Sequence, residues 1–181
     1  MAAPAVLGPE ITLRRYEERD HAAVRKLFVD VNRELATPEL HTAFEQYTAR
    51  SLREEIDRIP QYYGARGGSF WVVERSDGTL VGMFGLESAG GGAAELRRMY
   101  VAARLRRRGL ARAMLEQAEQ VCCGEGWDRI VLSTSELQQA ALALYRASGY
   151  RLMREEIATA QTNKTVGGRL RRYYFEKRLN C

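Results

Sequence analysis

Apolar residues near the start of the chain alternate with polar ones and then switch to helical spacing. Ile11 to Glu17 reads as a short strand. Asp20 is placed to cap a helix carrying Val24, Leu27, Phe28, Val31 and Leu35 on one side, and Thr37-Pro38 ends it. Phe44, Tyr47, Leu52, Ile56 and Ile59 predict a second helix over roughly 42–58, stopped by Pro60, with a loop from Gly64 to Gly68. Ser69–Arg75 and Thr79–Glu87 read as strands joined at Ser76-Asp77-Gly78. A flexible turn over Ser88–Gly92 leads to a strand at Ala94–Val101. Leu110, Met114, Ala118 and Val121 mark a helix over about 109–123. Then come a strand at Arg129–Ser135, a helix at Glu136–Ser148 closed by Gly149, and a strand at Tyr150–Glu156. The polar stretch Ile157–Gly168 reads as a loop before a long last strand at Arg169–Leu179. Residues 1–9, rich in Ala and Pro, are expected to be disordered.

Hairpins that precede βα units predict an α/β (α+β) fold: a mixed central sheet of about seven strands with helices on both faces. At 181 residues the chain suits one full core, expected over 11–181 after a disordered segment at 1–10. In such sheets ligands bind beyond the C-terminal ends of strands, near a helix N-terminus. Gly109 lies at that place.

Charge sharpens the picture there. The whole chain carries a formal +5, yet seven Arg and no acid lie between Arg97 and Arg112. A local anion site explains this better than a generally basic protein. The unpaired N–H groups of a helix start and their partial positive charge suit phosphate. Gly109 allows close backbone approach, and Arg104, Arg106, Arg107, Arg108 and Arg112 add fixed charge. A nucleic-acid face leaves the same footprint and stays as an alternative.

Three cysteines without framework spacing argue against a disulfide scaffold, and Cys122 and Cys123 read as small buried hydrophobes. With His21 and His41 the only histidines, no metal-ligand spacing appears and no metal is expected. Residues 1–10 lack the features of a signal peptide, and no stretch approaches the ~20 apolar residues of a spanning helix. The expectation is a cytoplasmic protein without membrane association, a nucleocytoplasmic one remaining open.

Two motifs carry a resemblance. Arg106-Arg107-Arg108-Gly109-Leu110-Ala111 follows a strand and opens a helix, and Leu144-Tyr145-Arg146-Ala147-Ser148-Gly149-Tyr150 ends one. Both resemble signatures of the GCN5-related N-acetyltransferase (GNAT) superfamily, and the element order agrees from about residue 11 to 179. The run from Leu132 to Tyr145 also resembles the camello-type acetyltransferases, which usually carry a membrane-spanning segment.

The resemblance implies acetyl-CoA, or another acyl-CoA, as donor and a primary amine as acceptor; with no obvious peptide-docking module in the sequence, a small molecule is slightly favoured over a protein. Backbone N–H groups of Arg107, Arg108, Gly109, Leu110 and Ala111 would hold the pyrophosphate, with Arg106 in support. Arg104, Arg107 and Arg112 are candidates for the 3′-phosphate. The pantetheine arm would pair with the Glu95–Val101 strand, in a splay between that strand and Arg129–Ser135. A backbone N–H among Met99, Tyr100 and Val101 would face the thioester oxygen. Tyr145 is the implied general acid and Glu95 the implied general base, in direct transfer within a ternary complex. Gln138 stands where many members have Asn, and can still hydrogen-bond the cofactor.

Other readings are kept alongside. Tyr62, Tyr63 and Tyr100 suit either an acceptor pocket or the core, while the Glu54-Glu55 and Glu155-Glu156 pairs read as solvated faces. A non-catalytic CoA-binding module is the main alternative function. The last strand could reach a partner's sheet edge, leaving a homodimer open.

Overall fold

The computed structural model describes residues 5–8 and 10–181. Eight strands form one sheet: β1 (Ala5–Gly8), β2 (Ile11–Arg15), β3 (Ser69–Arg75), β4 (Leu80–Gly90), β5 (Ala93–Val101), β6 (Arg129–Ser135), β7 (Arg151–Ala158) and β8 (Leu170–Arg178). They lie side by side in chain order except that β8 sits between β6 and β7. Only β5 and β6 run parallel.

The strand beyond the expected seven is β1, within the segment expected to be disordered. Ala5 pairs with Leu13 and Val6 with Thr12. Its order comes from backbone pairing to the edge of β2, which leaves no periodic signature in four residues. Residues 1–4 and Pro9 of that segment lie outside the described residues.

Five helices flank the sheet: α1 (His21–Leu35), α2 (His41–Glu54), α3 (Ile59–Gly64), α4 (Leu110–Gly124) and α5 (Gln139–Ala147). Pro60, expected to end a helix, stands in the first turn of α3 instead. There its missing N–H costs nothing. Glu136, expected inside α5, lies before it: its N–H donates to the Arg171 carbonyl, and its carboxylate accepts from the Arg171 N–H at 2.7 Å. Asp20 precedes α1, but its carboxylate turns to Arg14 and to the Glu17 N–H rather than capping.

Alternation along the strands divides the core in two. Trp71, Val73, Phe84, Leu96, Ile130 and Phe175 meet Met114, Leu115, Leu142 and Tyr145 of α4 and α5. Phe70, Val72 and Met83 point the other way, onto Val24 and Phe28 of α1, Tyr47 of α2, and Ile59 and Tyr63 of α3. Cys122 is fully buried as expected, but Cys123 is joined to Cys181 in a disulfide across 58 residues. Sequence spacing could not show that the C-terminal tail returns to the end of α4. Among the described residues no helix is long and apolar enough to cross a membrane.

Candidate active site

The sheet is interrupted at its one parallel pair. β5 and β6 are in register from Ala93–Arg129 to Leu96–Leu132, where the pairing ends, although β5 continues to Val101 and β6 to Ser135. Beyond that point the facing strand edges diverge. A cleft of about 560 Å³, counted to its open mouth, occupies the gap. Glu95, Met99, Tyr100, Ser133, Thr134, Gln138 and Tyr145 are among its lining residues.

Tyr145 is fixed at the floor. The last turn of α5 closes with Gly149 at φ +82°, and the Tyr150 N–H donates to the Tyr145 carbonyl at 3.0 Å. The Tyr145 ring packs 5.7 Å from that of Tyr150 and 6.0 Å from that of Phe175. Its hydroxyl has no hydrogen-bond partner among the described residues, yet is not sealed in. Burial pushes its pKa above the ordinary value of 10, so the phenol stays protonated at neutral pH.

At the mouth, the chain leaves β5, makes a short turn over Ala103–Leu105 and enters α4. Gly109 has φ +81°, and a Cβ there would meet nothing within 4 Å. Arg107 also adopts a left-handed conformation, at φ +59°. Among the described residues, the N–H groups of Gly109, Leu110, Ala111 and Arg112 have no acceptor, side-chain caps included. Four free donors at a helix start, with Arg104, Arg107, Arg108 and Arg112 exposed around them, form an anion cradle. Arg106 points elsewhere. Its Nε donates to the Val101 carbonyl at 3.0 Å, and its guanidinium pairs with Glu34 at 2.7 Å, tying the loop to β5 and α1.

The opposite wall is built on a bulge. Arg97 faces Gly85 and Tyr100 faces Met83, so Arg98 and Met99 together oppose Phe84. Arg98 takes φ +52°. Neighbouring strand residues normally point to opposite faces, but here Arg97 and Arg98 both reach Glu55. Glu55 accepts from Arg97 Nη2 at 2.6 Å, from Arg98 Nε at 3.0 Å and from the Tyr63 hydroxyl at 2.7 Å. Burial opposes the carboxylate charge, but Arg98 and Arg97 outweigh it and hold the Glu55 pKa at about 2. Arg98 also donates to the Tyr47 hydroxyl. Glu55 is therefore a buried anion, not part of a solvated face, and Arg97 and Arg98 are structural cations outside the anion cradle.

Lys164, from the loop between β7 and β8, closes the rim. Its Nζ lies 2.5 Å from Glu95 Oε2 and 3.0 Å from Glu87 Oε1. The bonds to these carboxylates raise its pKa even though burial works against the charge.

Comparison with known proteins agrees with this geometry. Residues 21–150 match the profile of the acetyltransferase (GNAT) family. The chain belongs to that family. It is 36% identical over 113 residues to N-acetyltransferase family 8 member 3 of Rattus norvegicus, covering 59% of this chain and 49% of that protein. The chain thus spans about half the length of the curated relatives it first matches. It is 29% identical to the uncharacterized N-acetyltransferase YjgM of Escherichia coli over 141 residues, 76% of this chain and 80% of that one. Among solved structures, a GNAT-family acetyltransferase from Staphylococcus aureus superposes with a TM-score of 0.72 at 16% identity, over 94% of this chain and 99% of its own. The structure of yncA from Salmonella typhimurium with its cofactor acetyl-CoA gives 0.70 at 18%, over 94% and 95%.

Within this GNAT fold, the residues singled out from the sequence converge on two adjoining places. Glu95, Met99, Tyr100, Gln138 and Tyr145 line the cleft, and Gln138 accepts a 2.8 Å bond from Thr134 at its floor. Val101 is buried where β5 ends, and Leu110 is buried beneath the start of α4. Tyr62 and Tyr63 are core residues. The sequence reading missed Tyr47, Glu55, Glu87, Lys164 and Arg172. The bulge that gathers most of them leaves no local sequence signal, and Lys164 and Arg172 are unremarkable polar positions until the sheet is assembled.

Proposed function

We propose that this protein is an N-acetyltransferase that moves an acetyl group from acetyl-CoA to a primary amine by direct attack. The observation that carries the reading is the end of the β5–β6 ladder at Leu96–Leu132, with Tyr145 in the gap and the free N–H groups of α4 at its mouth. The strand edge beyond Leu96 offers unpaired backbone to a pantetheine amide. The open space around Gly109 and its four neighbouring donors suits a pyrophosphate. Arg104, Arg107, Arg108 and Arg112 would hold the remaining phosphate charge, while Arg106 supports the loop from behind.

Each step then falls to a residue of this chain. Backbone N–H near Met99 to Val101 polarises the thioester carbonyl. Glu95 takes the proton that the amine gives up as its lone pair attacks the carbonyl carbon. The C–S bond breaks, and the Tyr145 hydroxyl supplies a proton to the departing sulfur. An acceptor amine at Glu95 displaces Lys164, which holds the same carboxylate as an ammonium. A cytoplasmic setting fits the donor, and there Cys123 and Cys181 would stand as thiols.

The test is thiol release from acetyl-CoA over a panel of amines, with Tyr145→Phe beside the wild type. Loss of the phenol proton should lower kcat by about 10²-fold, the lower range for one general acid. Acetyl-CoA affinity should stay within about twofold. CoA binding with no transfer to any amine would leave the non-catalytic module in its place.

A further inference from the structure

Three of the four cations lining the cleft are matched by carboxylates. Arg97 bonds to Glu55 and Glu87, Arg98 to Glu55, and Lys164 to Glu87 and Glu95. The fourth, Arg172 of β8, forms no ion pair within 4 Å among the described residues: the carboxylate of its cross-strand neighbour Glu156 is taken by Arg154 and the Tyr174 hydroxyl. Its Nη2 donates to the Ser133 hydroxyl at 2.5 Å. Ser133 is the first residue of β6 beyond the end of the ladder, so the guanidinium is held at the splay itself.

Arg172 also lines a second, shallow recess, about 370 Å³ when counted out into its open mouth, that shares Tyr47, Tyr100 and Gln138 with the first. This cavity extends between α1, α2 and the β7–β8 loop. Leu35, Phe44, Val166 and Leu170 give it an apolar wall. Arg172 thus stands between the cleft and a recess with one apolar wall, with spare donors in a planar fork. A half-buried guanidinium with no carboxylate in direct contact favours a ligand carboxylate, which it can bind through two charge-assisted hydrogen bonds. On the other side, Lys164 Nζ marks a place at Glu95 that already accommodates an ammonium nitrogen.

We infer that the acceptor is a zwitterionic amine of the amino-acid class with an apolar side chain: its amine at Glu95, its carboxylate on Arg172 and its side chain against Phe44, Val166 and Leu170. The inference rests on the transferase reading and narrows it. Arg172 is a specificity residue here, with no part in the proton transfers.

The experiment pairs apolar amino acids with their decarboxylated counterparts, such as L-phenylalanine with phenethylamine and L-leucine with 3-methylbutylamine, in the acetyl-CoA thiol-release assay. The carboxylated partner should show a kcat/KM about 10- to 100-fold higher, the range expected for a charge-assisted hydrogen bond. Arg172→Gln should collapse that ratio towards one, and Arg172→Lys should restore part of it. Equal or higher rates with decarboxylated amines would overturn the inference and leave the transferase reading standing. A ratio unmoved by Arg172→Gln, or an effect confined to the KM of acetyl-CoA, would overturn it as well. Silence from every amine would remove the transferase reading beneath it. Should Arg172→Gln fail to fold, the wild-type ratio decides.

Discussion

Glu55 is the residue on which the cleft wall at the β5 bulge depends. It is fully buried, and three donor groups from Arg97, Arg98 and Tyr63 converge on it. Removing one member of such a cluster strands the others without compensation. Glu55→Ala should cost about 3–5 kcal/mol, read from urea unfolding, whereas exposed Glu18→Ala should cost almost nothing. The pH dependence has a definite sign. The folded pKa of about 2 lies below the ordinary 4.5, so Glu55 contributes its full stabilisation above pH 4.5 and loses it as pH falls towards 2. Wild-type stability should therefore decline over that window, and Glu55→Gln should flatten the decline. For Tyr145 the shift runs upward with burial. With Tyr145 as the proposed acid, a kcat profile should consequently show no loss from its ionisation as pH rises to about 10.

At the scale of elements, the two departures from regular strand pairing create the site. The β5 bulge sends Arg97 and Arg98 to one face, and the ladder's end at Leu96–Leu132 opens the other edge. The turn into α4 completes it. A β-branched residue at φ +81° is strained, so Gly109→Val should weaken acetyl-CoA binding by about tenfold, measured by calorimetry, while Tyr145 stays in place. Gly85 supports the opposite side. A Cβ there would lie 2.2 Å from the Tyr63 hydroxyl and 2.4–2.5 Å from its ring carbons. Gly85→Ala must displace the Tyr63 side chain and its bond to Glu55, and should cost about 2 kcal/mol or more in thermal or urea unfolding.

For the molecule as a whole, the two-sided sheet separates duties. α4, with Gly109 at its start, and α5, with Tyr145, cover one face, whereas α1, α2 and the β7–β8 loop cover the other and line the second recess. The Cys123–Cys181 bond ties the C-terminal tail to the end of α4. Closing a loop of 58 residues restricts the unfolded chain, so reduction or Cys181→Ser should lower stability by about 2–4 kcal/mol. Thiol titration of the oxidised, unfolded chain should count one cysteine, Cys122, and three after reduction.

Periodicity alone located the central and C-terminal strands and the main helices, because a strand or helix that buries one face must repeat its apolar residues at its own spacing. The Gly109 motif and the Tyr145 helix ending were equally legible, since a positive φ and a helix cap are local demands met by local residues. Assembly decided the rest. A backbone-paired edge strand such as β1 needs no side-chain pattern. The ion cluster around Glu55 joins residues 42 and 43 positions apart in sequence through a bulge. Arg172 meets Ser133 across 39 residues. Whether a charge is solvated, neutralised or left available depends on which distant groups the sheet brings within hydrogen-bond reach, and no window of sequence contains both partners.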